Sequence, residues 1–329
     1  MKLHLYYNVG MMDEKNYIIF DLEWNQPYDG KSKEERPLLF EIIEIGAVRM
    51  NENREIVDQF HELVKPQVYH EISWRTQKML HLKKGELQHG DIFPNVYRRF
   101  MEWCGENPIF CTWGSQDLTE LQRNIKYYGL APLAEKPLPY YNVQKLFAIQ
   151  QKEENISRSL ETAVDMVGIE KDVPFHRADS DAYYTARLFG MYNETFLKNN
   201  YTYDLYHIPR SEKEEIHLFQ GKDNWYISRG YEEKAEISEN RRVLAINCAL
   251  CNQKPVRAKV RWFSTGTKIY YCGGICKEHG AIKGKLKIRK NEEGLFYADK
   301  LLTYTTEEEI LQLKERKKSS KKSGKGEKK

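Results

Sequence analysis

Residues 17–23 read YIIFDLE, four consecutive apolar positions followed by two acids on either side of a leucine. A stretch that is apolar on both faces suits a strand buried inside a sheet. Strand side chains alternate between faces, so Asp21 and Glu23, at i and i+2, project together on one of them. Two carboxylates side by side at the end of an apolar strand repel each other and lose hydration, a cost that a cation or solvent must offset. Residues 41–50 (EIIEIGAVRM) and 59–65 (QFHELVK) read as two more strands, with Asn51-Glu52-Asn53 turning between them. The chain therefore opens with a meander of three strands.

Helical spacing follows. Val96, Phe100, Trp103 and Cys104 share one side of a helix, a short strand is expected at 109–113, and further helices over 117–128, 142–150, 157–167 and 179–197. Strands first, then strand alternating with helix, define an α/β layout with a mixed sheet flanked by helices. This domain is expected over residues 13–197, behind an N-terminal extension of residues 1–12. Residues 198–240 are polar and irregular and read as a linker or bridging segment. A compact unit at 241–303 carries four clustered cysteines, and 304–329 reads as a helical stub and a basic, disordered tail.

The 329 residues leave room for a generous domain plus a smaller one. The net charge of +4 conceals an uneven distribution, since residues 314–329 hold nine Lys/Arg against two Glu and the remainder is slightly acidic. No apolar run approaches the ~20 residues of a membrane span, so no membrane partner is expected and a cytoplasmic location is the default.

Asp117 follows the short strand and opens a helical pattern, where it reads either as a helix N-terminal acid or as a ligand with company elsewhere. That company lies in FHRADSDAYY, residues 175–184, which places His176 ahead of Asp179 and Asp181 at a helix start. Helical residues advance by about 100°, so the two aspartates stand roughly 200° apart and cannot serve one site. Asp181 aligns with Thr185 and Leu188 on the face expected to turn inward and is the expected ligand; Asp179 suits a capping or dipole role.

Taken in order, IIFDLEW, WGSQDLTEL and HRADSDAYYTA resemble the three motifs of the DEDDh 3′-5′ exonucleases, the ribonuclease T and DNA polymerase III epsilon-like family. The resemblance covers about residues 13–197 and is nearest the branch of histone-mRNA and small-RNA 3′ exonucleases. It implies a ribonuclease H-like fold, Asp21, Glu23, Asp117 and Asp181 as the acids holding two Mg²⁺ or Mn²⁺ ions, and His176 as the base taking a proton from water. In that scheme Asp21 bridges both ions, Glu23 and Asp181 complete the shell of the first, and Asp117 orients a water on the second. The substrate class implied is single-stranded nucleic acid with a free 3′ end, RNA favoured over DNA. The chain departs from the family where Trp24 follows Glu23, a residue that either stacks on a base or packs the site rim, and where QKMLHLKK leaves Leu80 as the terminal-base wedge. Rival readings are a nucleic-acid-binding or adaptor protein without turnover and a proofreading partner of a DNA polymerase.

Cys248 and Cys251, then Cys272 and Cys276, come close to paired C-x2-C knuckles, with one extra residue in the second pair. Four thiolates satisfy tetrahedral zinc, so a small zinc-ribbon-like domain with a structural Zn²⁺ is expected, with His279 as an alternative ligand. Lysines, arginines and Trp262 interleave around these cysteines as on a nucleic-acid surface or a solvated basic face.

Overall fold

A computed structural model describes residues 15–26, 38–72, 74–83, 85–153, 156–251, 254–264 and 269–323; the extension 1–12 and the last residues of the tail lie outside the described residues. The chain divides into two units, Met1–Asp204 and Leu205–Lys329.

In the first unit β1 (Tyr17–Asn25), β2 (Glu41–Met50) and β3 (Ile56–Leu63) form the antiparallel meander. Helices α1 (Trp74–Met79) and α2 (Phe93–Cys104) follow, then β4 (Ile109–Thr112), α3 (Gln116–Tyr127), β5 (Leu138–Asn142) and α4 (Val143–Gln150). The unit ends with α5 (Leu160–Val167), α6 (Ala178–Gly190), α7 (Glu194–Lys198) and β6 (Thr202–Asp204). The sheet order is β3-β2-β1-β4-β5-β6, with β4 parallel to β1, β5 parallel to β4, and the other pairs antiparallel. This is a mixed sheet flanked by helices, as the sequence leads one to expect.

The alternation of β1 sorts the core into two layers. Ile18, Phe20 and Leu22 pack with Phe93 and Phe100 of α2 and Leu118 and Leu121 of α3. Tyr17 and Ile19 face the other way, onto Phe147 of α4, Val164 of α5 and Ala182 and Phe189 of α6. Phe20 meets Phe100 and Phe110 edge-on, at 5.9 and 5.7 Å between ring centroids, and truncating such a ring to alanine costs about 3–5 kcal/mol. Asp21 and Glu23 share the parity of Tyr17 and Ile19, which directs them to the α6 side.

Several boundaries differ from expectation for local reasons. Asn142 and Ser159 cap α4 and α5 with side chains that accept from the N–H of Lys145 and Thr162. The helix expected over 179–197 breaks because Asn193 caps a new one, accepting from Phe196 N–H. Segment 198–240 is not a linker: it supplies β6 to the first sheet and strands to the second.

Those strands are β7 (Ile216–Gln220) and β8 (Asp223–Ile227), a hairpin followed by α8 (Lys234–Glu239). A short pair, β9 (Asn247–Cys248) and β10 (Lys254–Pro255), precedes β11 (Ala258–Ser264), β12 (Ile269–Cys276), β13 (Gly280–Lys290) and β14 (Phe296–Thr305). The six longer strands form one antiparallel sheet, β11-β12-β13-β14-β8-β7. The second unit is thus larger than the ribbon expected over 241–303. Its last element, α9 (Glu307–Ser323), replaces the expected disordered start of the tail and packs on β11, β12 and β13 through buried Ile310. Among the described residues no helix is long and apolar enough to cross a membrane.

Candidate active site

In the β1–β2 ladder Asp21 stands opposite Gly46 and Glu23 opposite Glu44, with a bulge between Glu23 and Trp24. The N-terminal turn of α6 lies directly on Gly46: a Cβ there would fall 2.0 Å from the backbone nitrogen of Asp179 and 2.1 Å from the carbonyl carbon of Ala178. Ala178 and Ala182 are fully buried small residues that admit the same close approach. Asp181, two residues on, therefore meets the acids of β1, and carboxylate oxygens of Asp21, Glu23 and Asp181 lie within 4.8 Å of one another. Thr185 and Leu188, on its helical face, are each 1% exposed.

Asp117 approaches from the first turn of α3, where it is buried. The β1–β4 pairing ends at Ile19 and Cys111, and Asp117 Oδ1 accepts the N–H of Leu22 just beyond it, at 3.3 Å. Its carboxylate is not within the 4.8 Å grouping of the other three.

Burial dominates the electrostatics. It pushes Asp21 well above the usual carboxylate range, with Asp117, Glu23 and Asp181 adding repulsion. Burial likewise pushes Glu23 up to about 8, Asp117 to about 7 and Asp181 to about 6, the last opposed by the His176 backbone N–H and by the imidazole charge. Such a cluster of oxygen donors, unable to ionise together unaided, is chemically suited to hard divalent cations.

His176 is exposed and left-handed, with φ 67°. Its neighbours hold it there: its N–H donates to Asp181 Oδ1 at 3.3 Å, and Phe175 stacks on Tyr184 with centroids 4.4 Å apart. On its other side the Arg177 guanidinium reaches both oxygens of Glu44, at 2.9 and 3.1 Å. Glu44 is fully buried and also takes His61 Nε2 at 2.6 Å, a bond that raises the pKa of His61. Asp179 places its carboxylate in this second group, within 4.8 Å of a Glu44 carboxylate oxygen and a His61 ring nitrogen, instead of making a cap. Glu44, His61 and Arg177 escape a reading of the sequence because the register joining them exists only once β1, β2, β3 and α6 are assembled. The signal available beforehand was a glutamate inside an otherwise apolar strand.

Trp24 packs against Phe40 with ring centroids 5.5 Å apart. Leu80 corrects its expected role: it is 0% exposed, enclosed with Ile43, Leu82 and Leu87, and offers no surface to a base.

In the second unit Cys248, Cys251, Cys276 and His279 bring their ligand atoms within 4.8 Å. Sγ of Cys251 is 3.7 Å from that of Cys276, and His279 Nδ1 is 3.4, 3.2 and 3.8 Å from the sulfurs of Cys248, Cys251 and Cys276. A Zn–S bond of about 2.3 Å puts tetrahedral ligands roughly 3.7 Å apart, so the group has the dimensions of a zinc site. The N–H groups of Glu278 and His279 pull the Cys276 thiol down to about 6. Cys272 does not belong to the set. It shares strand β12 with Cys276, and four residues of extended chain span about 13 Å. Cys272 is instead buried in the sheet beside Gly284.

An acidic trio spanning the central strand and α6, a fourth acid from α3, and a histidine five residues before the last acid follow one another in the order of the DEDDh motifs. The chain belongs to this exonuclease family: the family model described as "Exonuclease" matches residues 18–189, within the first unit. Among curated proteins it is similar to the "Probable 3'-5' exonuclease KapD" of Bacillus subtilis (strain 168), 25% identical over 182 residues that make up 54% of this chain and 84% of that protein. Among solved structures, a full-length 3'-exonuclease aligns at 21% identity and TM-score 0.47 over 54% of this chain and 80% of that one. The nuclease domain of 3'hExo, a DEDDh family member, bound to rAMP, aligns at 20% identity and TM-score 0.47 over 58% and 96%.

Proposed function

We propose that the first unit is a metal-dependent 3′-5′ exonuclease that removes nucleoside 5′-monophosphates from single-stranded nucleic acid, with RNA favoured over DNA. The observation that carries the reading is the convergence of Asp21, Glu23 and Asp181 within 4.8 Å, from two elements pressed together at Gly46. Membership of the exonuclease family supports the activity, and the preference for RNA rests on the resemblance of the motifs to the RNA-trimming branch.

Asp21, Glu23, Asp117 and Asp181 would hold two Mg²⁺ or Mn²⁺ ions, as befits a donor set made only of carboxylate oxygens. Such ions, when bound, neutralise the phosphate and render a water nucleophilic near neutral pH. His176 takes the proton of the attacking water onto an imidazole nitrogen. Its exposure lets it reach a scissile phosphate, while the Asp181 contact on one side and the Arg177–Glu44 pair on the other keep its loop in place. Glu44, His61 and Arg177 act as positioning residues. The cysteine cluster of the second unit is read as a structural Zn²⁺ site of Cys248, Cys251, Cys276 and His279.

The test is trimming of a 5′-labelled single-stranded oligonucleotide by wild-type protein and by Asp21→Asn with His176→Ala. Wild type should yield a ladder shortening from the 3′ end only when Mg²⁺ or Mn²⁺ is present, and the folded double variant should yield none. Undiminished trimming by the variant, or trimming independent of divalent ions, rejects the proposal. Initial rates on RNA and DNA of the same sequence decide the substrate preference.

A further inference from the structure

β13 crosses the sheet of the second unit between β12 and β14 and reads GAIKGKLKIRK. Buried Ile282, Gly284 and Leu286 alternate with Ala281, Lys283, Lys285, Lys287 and Arg289; on this second face Ala281 is covered by Ile310 of α9, and the cations follow beyond it. Lys283 is paired with Glu309 at 2.5 Å and Arg289 with Asp299 at 2.8 Å. Lys285 and Lys287 have no carboxylate within 4.0 Å among the described residues. Lys287 is held below the usual lysine range, first by burial and then by the neighbouring charges of Arg289 and Lys285, against the opposing pull of Asp299, its ladder partner on β14. Alternate strand residues are about 6.6–6.8 Å apart, close to the interval between successive phosphates of an extended polynucleotide. Lys285 lies level with Leu301 of β14, which lies level with Trp225 of β8, so an indole shares this face. The Trp225 Nε1–H donates to Asp299 Oδ1 at 2.8 Å, which orients the ring.

We infer that this face of the second sheet is a track for single-stranded nucleic acid, its phosphates following Lys285 and Lys287 with a base within reach of Trp225. Cations fixed on a strand give affinity for any sequence, and an aromatic ring accepts any base, so the track suits a chain that is shortened without regard to sequence. The inference rests on nucleic acid being the substrate proposed above.

The experiment measures binding of unstructured RNA and of DNA of the same sequence to the full chain, in an Asp181→Asn background that leaves the oligonucleotide intact. Lys285→Glu with Lys287→Glu is compared with Lys285→Arg with Lys287→Arg across a salt series. Each single-strand phosphate contact contributes a slope of about −0.7 in log K against log salt, so the glutamate pair should flatten the slope by about 1.4. Extrapolated from 1 M, that is a loss of about 25-fold at 0.1 M salt. The arginine pair should bind as the background does. An unchanged slope and affinity in the glutamate pair, or an equal loss in the arginine pair, overturns the inference. A separate assay with the wild-type catalytic residues keeps the two readings apart: if no oligonucleotide is trimmed yet the glutamate pair still weakens binding, the track stands and the proposed activity falls.

Discussion

Replacing Glu23 by glutamine should stabilise the metal-free protein while abolishing trimming. Burial raises Glu23 from the ordinary 4.5 to about 8, and the carboxylates of Asp181, Glu44 and Asp117 add repulsion. The folded chain keeps this proton up to about pH 8 whereas the unfolded chain releases it near 4.5, so the folded state binds more protons across that window and stability falls as pH rises through it. At about 1.36 kcal/mol per unit, the deficit grows from under about 1 kcal/mol at pH 5 to about 4 kcal/mol at pH 8. Glutamine has nearly the same volume and no charge to desolvate. For a unit of this size the variant should melt roughly 10 °C higher than wild type at pH 8 and about 3 °C higher or less at pH 5. The assay is calorimetry of the full chain dialysed free of Mg²⁺ and Mn²⁺ without a chelator, leaving the cysteine cluster undisturbed. Added Mg²⁺ should then raise the wild-type melting temperature and move that of the variant far less. A gain equal at both pH values, or a loss at pH 8, would refute the account of a repulsive, buried acid cluster.

Gly46→Ala forces a Cβ against the backbone of Ala178 and Asp179; it should cost about 3 kcal/mol in urea melts and remove trimming, because α6 must move off the sheet. Asp179→Asn should keep trimming within a few-fold of wild type and Asp181→Asn should abolish it, since only Asp181 joins the acids of β1; equal losses would show the division of roles to be wrong. Metal analysis of the full chain should find a single zinc, retained in Cys272→Ser and lost in Cys251→Ser and His279→Ala. Loss of zinc in Cys272→Ser would restore the all-cysteine set.

The legible parts of the sequence were those where a single segment contains its own explanation. YIIFDLE and EIIEIGAVRM lie within strands of the structure because continuous apolar runs have few other uses, and helical geometry together with the spacing from His176 sets Asp181 apart from Asp179, which the structure holds in separate groups. β5, five residues interrupted by Pro139, and the three-residue β6 carry too short a pattern to read and exist by pairing with their neighbours. The cysteine spacing misleads about the fourth zinc-type ligand, because C-x3-C resembles a knuckle. In the structure β12 runs straight from Cys272 to Cys276, and the chain turns only after it, which delivers His279 instead. The basic segment after residue 314 shows the opposite error: its composition reads as disorder, yet α9 continues into it as far as Ser323, anchored upstream by Ile310.

The contact at Gly46 has a mechanical consequence. Two main chains touch there with no side chain between them, so the offset between the strand bearing Asp21 and Glu23 and the helix bearing Asp181 is set by covalent backbone dimensions, not by the rotamers of a core. Substitutions deeper in the apolar layers should therefore soften the protein without detuning the spacing of its acids. Thermal tolerance and cation affinity become separately adjustable properties, one residing in the aromatic layers and the other in a seam one atom thick.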